Sequence, residues 1–91
     1  MARRYLHVSF IFRGLPLIDE LEPTFSTARD WLRYSENCWI IYTSRTPKAW
    51  HTLIEKKIGQ KDSVLILSVD PMVRSGKMSK TVWDWLKEKR S

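Results

Sequence analysis

The sequence predicts an α+β fold: an antiparallel sheet with helices packed on one face, closed by a further helix at the C-terminus. The segment Tyr5 to Phe12 alternates with a period of two, as a half-buried strand does. The stretch "CWIIYTSRTPKAW", Cys38 to Trp50, passes from an apolar strand straight into a capped helix. Strand-like and helix-like segments then alternate along the chain, in the order that layers helices on a sheet.

Each element has its own local cause. In the first strand Leu6, Val8, Phe10 and Phe12 fall on one face, and Tyr5, His7, Ser9 and Ile11 on the other. Arg13-Gly14-Leu15-Pro16 ends it, because Gly relaxes the backbone and Pro suits a helix start. Leu17, Ile18, Leu21 and Phe25 then recur at helical spacing, but Pro23 interrupts them. A proline deep in a straight helix costs about 3 kcal/mol. Two arrangements satisfy that constraint. In one, a short helix spans 16–22 and a second helical turn starts at Pro23 and reaches Ala28. In the other, the main helix starts at Pro23 and runs through Leu32.

Trp31, Leu32 and Tyr34 favour a strand, and Ser35-Glu36-Asn37 favours a tight turn. A hairpin results, with Cys38 to Thr43 as its central strand. Thr46 is placed as N-cap and Pro47 as first residue of the next helix. Trp50, Leu53, Ile54 and Ile58 form its inner face, and Gly59 is expected to close it in the left-handed conformation. "SVLILSVD", Ser63 to Asp70, reads as a second buried strand. Pro71 to Lys77 is a loop in which Met72-Val73 suits a brief edge pairing. Ser79 is expected to cap a last helix that turns Val82, Trp83 and Leu86 inward, and its basic end suits the helix dipole. Strand, helix, hairpin, helix, strand and closing helix make a ferredoxin-like layout, in a single domain covering 1–91.

Composition narrows the classes. A chain of 91 residues builds one core. It is 43% apolar and 29% charged, as folded domains are, and carries five Trp. So small a core does not easily hide five indoles, so one or two are expected on a partner-facing surface. The net charge of +6 suits nucleic acid or an acidic protein as partner. Part of that excess sits in Arg3-Arg4 and in Lys87 to Arg90, where solvated tails account for it equally well. The single cysteine, Cys38, excludes an intramolecular disulfide and a thiolate metal cage, and suits a reducing cytoplasm. The opening apolar run is short, broken by His7 and Ser9, and lacks a cleavage site after it. No stretch approaches the roughly 18 apolar residues of a membrane helix.

The alternating first strand, "CWIIYTS", the helix opening on "TPKAW", "KDSVLILSVD" and the late "WDWLKEKR" together resemble the SinR-like proteins, relatives of the CRISPR-associated adaptation nucleases and of VapD toxins. The resemblance is best from Trp31 to Leu86. It implies a ferredoxin-like fold, often dimeric. It also implies, for nucleases of that superfamily, an acid after an aromatic residue at the end of the first strand. The matching stretch here, "VSFIFRGLP", offers Phe12, Arg13 and Gly14 instead. The metal-binding acid therefore has no counterpart.

Other chemistry is thinly supplied. A metal site needs converging carboxylates. Asp19, Glu20 and Glu22 cluster and Asp70 ends a strand, but acids in a first helical turn are favoured electrostatically anyway. His7 and His51 have no ligand or base partner at useful spacing. Cys38 has no activating motif and reads as a small core residue. No catalytic residue, metal site or cofactor is implied. Basic residues with aromatic neighbours carry more weight: Arg33, Arg45, Lys48, Arg74, Lys77 and Lys80 are positioned to meet nucleic acid, with Lys56, Lys57 and Lys61 at the far end of the middle helix. An ordinary solvated surface accounts for the same charges. The function classes are thus a non-catalytic, homodimeric binding protein, contacting nucleic acid or protein, and a metal-dependent endonuclease. The absent acid favours the first. The strand-to-helix junction itself reads as architecture.

Overall fold

The computed structural model of the chain describes residues 2–88. Its elements are β1 (Arg4–Ile11), α1 (Ile18–Phe25), β2 (Asp30–Ser35), β3 (Cys38–Thr43), α2 (Pro47–Glu55), β4 (Ser63–Val69) and α3 (Lys80–Lys87). The strands form one four-stranded sheet in the order β2-β3-β1-β4, and every neighbouring pair is antiparallel. The α+β class, the hairpin and the C-terminal helix are thus as the sequence predicts.

Cross-strand partners share a sheet face. Leu6 lies opposite Ile41 and Val8 opposite Trp39. These four, with Phe10, close on Leu21 and Phe25 of α1 and on Trp50 and Ile54 of α2. All nine are essentially without solvent exposure. Burying each such side chain is worth about 1.5–3 kcal/mol. Aromatic rings form the centre: Phe25 stacks on Trp39 at 4.9 Å and on Trp50 at 5.9 Å, while Phe10 meets Trp39 edge-on at 5.3 Å. Two of the indoles are therefore core.

The opposite face is only partly covered. Trp85 of α3 meets Tyr5 edge-on at 6.0 Å, and Tyr5 packs on Tyr42. α3 buries Val82 and Leu86 and leans toward β2. On the β4 side Ile11, Leu65 and Leu67 stay 55%, 56% and 48% exposed. β4 is thus an edge strand with one apolar face in water, not the buried strand expected. Its apolar run supplies both faces, but no described element lies over the outer one.

Five further expectations need correction. α1 is one helix running through Pro23, where the sequence suggested a break or a start. Leu21 and Phe25, one turn apart, are both fully buried and hold it against the core, while the proline ring faces solvent. Gly59 is not left-handed; among the described residues Gly76 alone has a positive φ. α2 ends instead through a right-handed cap at Lys56. Beyond it the Asp62 carboxylate accepts from the backbone N–H of Gly59 and of Arg13, each at 2.8 Å. A Cβ at Gly59 would lie 3.0 Å from that carboxylate, so a larger residue there requires the Asp62 side chain to shift. Met72 and Val73 make no edge pairing; they sit in a turn, 71% and 82% exposed. Ser79 occupies the cap position of α3 without a side-chain bond. Trp85, not Trp83, joins Val82 and Leu86 as the packing side of α3, because Trp83 lies beside Arg74. Lys89 and Arg90, part of the expected basic end, lie outside the described residues.

Candidate nucleic-acid interface

The antiparallel register gathers strand ends. Arg4 pairs with Thr43, Tyr5 with Val69, and Asp30 with Tyr42. One end of the sheet therefore carries the starts of β1 and β2 and the exits of β3 and β4. Arg3 precedes β1, Arg29 precedes β2, and Ser44-Arg45 follow β3. The Arg29 N–H fixes its turn by donating to the Tyr42 carbonyl at 3.0 Å. Between these segments lies a cleft of about 380 Å³ lined by Arg3, Arg29 and Arg45 with Thr27, Thr43 and Ser44. No carboxylate is among its described lining residues.

Thr43 is the pivot of this end. It is 3% exposed. Its Oγ1 accepts from the Trp50 indole Nε1 and from the Arg45 backbone N–H, each at 3.1 Å. One hydroxyl thus ties the last residue of β3 to the inner face of α2. The Arg45 guanidinium lies 5.1 Å from the centre of the Trp50 ring and donates from Nη1 to Thr27 Oγ1 at 2.6 Å. Thr46 caps α2 as the sequence predicts, accepting from the Ala49 N–H at 3.1 Å. The junction is architecture, and it also forms a wall of the cleft.

The six basic residues singled out from the sequence separate into groups. Arg45 borders the cleft, and Lys48 follows in the exposed first turn of α2. Arg74 and Lys77 lie in the segment leaving β4 from the same sheet end. Arg74 folds back on that segment, donating to the Pro71 carbonyl at 2.9 Å with its guanidinium 5.9 Å from the Trp83 ring centre. Lys80 is ion-paired with Asp84 at 2.7 Å, and that hydrogen bond raises its pKa. Arg33 does not join Arg45. It sits opposite Trp39, toward the hairpin turn. It donates to the Glu36 carbonyl at 2.7 Å and covers the Trp39 ring at 5.1 Å. Arg33 and Arg45 flank β3 from opposite ends, because a strand spaces its residues about 3.3 Å apart. The sequence pointed past Arg3, read as a solvated tail, and past Arg29. Their signal was position: each stands immediately outside a strand, and antiparallel pairing turns such positions into neighbours.

The remaining candidates are dispersed. Among the described residues no three of His, Cys, Asp and Glu are placed to hold a metal ion. Asp19, Glu20 and Glu22 ride on α1, whereas Asp70 follows β4 and accepts from the Met72 N–H at 2.9 Å. His51 is exposed on α2. His7 lies on the outer sheet face with Nε2 hydrogen-bonded to the Tyr34 hydroxyl, and burial pushes its pKa down. Burial first, and then a hydrogen bond to Cys38, push the Tyr34 hydroxyl up to about 12. Cys38 is a half-buried free thiol. No described helix is long and apolar enough to cross a membrane. Comparison with known proteins finds no matching family model, no similar curated protein and no similar solved structure.

Proposed function

We propose that this chain is a non-catalytic nucleic-acid-binding protein of ferredoxin-like layout, akin to the SinR-like proteins, that works as a homodimer. The observation that carries the binding reading is the convergence of Arg3, Arg29 and Arg45 at one sheet end, in a cleft with no carboxylate among its described lining residues. Arginine pairs with phosphate through a planar fork of donors, and phosphate contacts dominate affinity for nucleic acid. Lys48, Arg74 and Lys77 extend positive charge from the same end. The βαββαβ order, the central pair β3 and β1, and a shared core with α1 and α2 support the ferredoxin-like layout. The second copy is expected on the β4 side, where Leu65 and Leu67 lie bare beside a free strand edge. A two-fold axis can pair such an edge with itself.

Fluorescence anisotropy with single-stranded RNA and DNA, titrated with salt, tests the reading. Affinity is expected to fall with salt at about 0.7 log units per neutralised phosphate per log unit of salt. Binding insensitive to salt, or none at low salt, overturns it. The same oligonucleotides incubated with magnesium or manganese are expected to stay intact. Cleavage that disappears in Asp19→Ala or Asp70→Ala restores the nuclease alternative.

A further inference from the structure

We propose that the turn after β4 is a wedge that enters a base step of duplex DNA, an inference that rests on the nucleic-acid-binding function above and names its substrate. The turn spans Asp70 to Val73. The Val73 N–H closes it on the Asp70 carbonyl at 3.2 Å, and the Met72 N–H donates to the Asp70 carboxylate at 2.9 Å. At its tip Met72 and Val73 stand 71% and 82% exposed. Arg74 Nη1 donates across the turn to the Pro71 carbonyl at 2.9 Å and to Met72 Sδ at 3.6 Å. The tip is thus held in shape before any partner arrives, and a guanidinium carries further donors on its other nitrogens. From Pro71 to Lys80 the chain has Arg74, Lys77 and Lys80 and no acid. Lys80 is paired with Asp84, whereas Arg74 and Lys77 stand exposed beside the tip. Val69 of β4 lies opposite Tyr5, so the turn leaves the sheet at the end where Arg3, Arg45 and Lys48 stand.

An aliphatic tip between cations fits a partner that is anionic outside and apolar within. Duplex DNA is built so, with phosphates outside and stacked bases inside. Proteins kink it by inserting apolar side chains, Met among them, between base pairs from the minor groove, while cations hold the backbone. A single strand offers unstacked bases, which bind on aromatic rings. The tip carries no ring, and Trp83 is half-buried beside Arg74. An anionic bilayer has the same layered chemistry. Stable attachment to one takes two anchoring signals, and even a single acyl chain holds only marginally. The two short side chains of the tip fall below that.

The experiment places donor and acceptor dyes at the two ends of a duplex of about 20 base pairs with central TpA steps, which kink easily. Free DNA this short is nearly straight, because its persistence length is about 150 base pairs. The protein is expected to bend it by about 20–90° and so to raise energy transfer between the ends. Met72→Ser combined with Val73→Ser is expected to abolish the bend and to weaken duplex binding about tenfold. Its melting temperature is expected to match the parent's, because both side chains lie mostly in water. Duplex binding without a rise in energy transfer overturns the wedge and leaves nucleic-acid binding standing. So does a bend that the double variant retains. A duplex that fails to bind where single strands succeed also overturns the wedge alone. Failure of duplex and single strands alike overturns both readings. Vesicles of anionic lipid are measured beside the DNA. Binding to them that exceeds duplex binding and is lost in the double variant overturns the wedge in favour of a membrane surface.

Discussion

Thr43 links two elements through one oxygen. The Trp50 indole N–H is buried and donates to it, and the Arg45 N–H does the same. Thr43→Val keeps the shape of the side chain and removes the acceptor. A buried donor left without a partner costs about 1–3 kcal/mol. Thr43→Val is therefore expected to lower unfolding free energy by that amount in urea denaturation, while Thr43→Ser stays near the parent. Equal stability for both would mean that water reaches the indole. His7 makes a second residue-scale case. Its pKa in the folded chain lies below the ordinary 6.5, because burial disfavours the imidazolium. Between the two values the unfolded chain binds more protons than the folded one. Stability therefore rises with pH across that window and is lost as pH falls below 6.5 toward the folded value. Urea midpoints measured across this window are expected to drop on acidification, and His7→Gln is expected to flatten the profile. An identical slope in the variant would assign the acid sensitivity to other groups.

At the scale of elements, α1 shows packing overriding local preference. Pro23 sits at the sixth position of an eight-residue helix and has no N–H to give the Asp19 carbonyl. The helix persists because Leu21 and Phe25 fill the core one turn apart. Pro23→Ala restores the missing donor at an exposed position, and intrinsic propensities put the gain at up to about 3 kcal/mol. A higher urea midpoint is the expected result; an unchanged one would mean that α1 bends enough to absorb the ring. The same contest sets what was legible in the sequence. β1, the hairpin and the start of α2 follow from periodicity and capping, which are local, and all stand where the pattern places them. β4 was misjudged because an apolar run reads alike whether both faces are covered or one is left bare. Gly59 misled because α2 ends earlier, through the right-handed cap at Lys56, and Gly59 instead donates to Asp62, whose carboxylate also holds the distant Arg13. The cleft was half visible. Arg45 belongs to an evident junction, but Arg3 and Arg29 become its neighbours only once the strand order is known.

For the whole molecule, the uneven cover of the sheet bears on assembly. α3 lies toward β2 and leaves Ile11, Leu65 and Leu67 bare around the free edge of β4. An uncapped edge with an apolar face invites another strand, and natural proteins rarely leave one open. A second copy related by a two-fold axis offers β4 to β4 and sets the same leucines side by side across the seam on one continuous outer face. Each copy carries +6, so the copies repel and screening by salt favours their union. Nucleic-acid binding has the opposite dependence, since salt competes with the phosphates. The two proposed properties are therefore expected to move apart along one salt series: the sedimentation coefficient rises toward that of a dimer while RNA affinity falls. Leu65→Glu combined with Leu67→Glu is expected to give a monomer with an unchanged melting temperature at low protein concentration, because both side chains are about half in water already. Their arginine cleft, at the end of β1, β2 and β3, should still bind RNA. A parent chain that sediments as a monomer at micromolar concentration and above, at every salt concentration, refutes the dimer. A parent that dimerises and a double variant that still does so places the interface elsewhere.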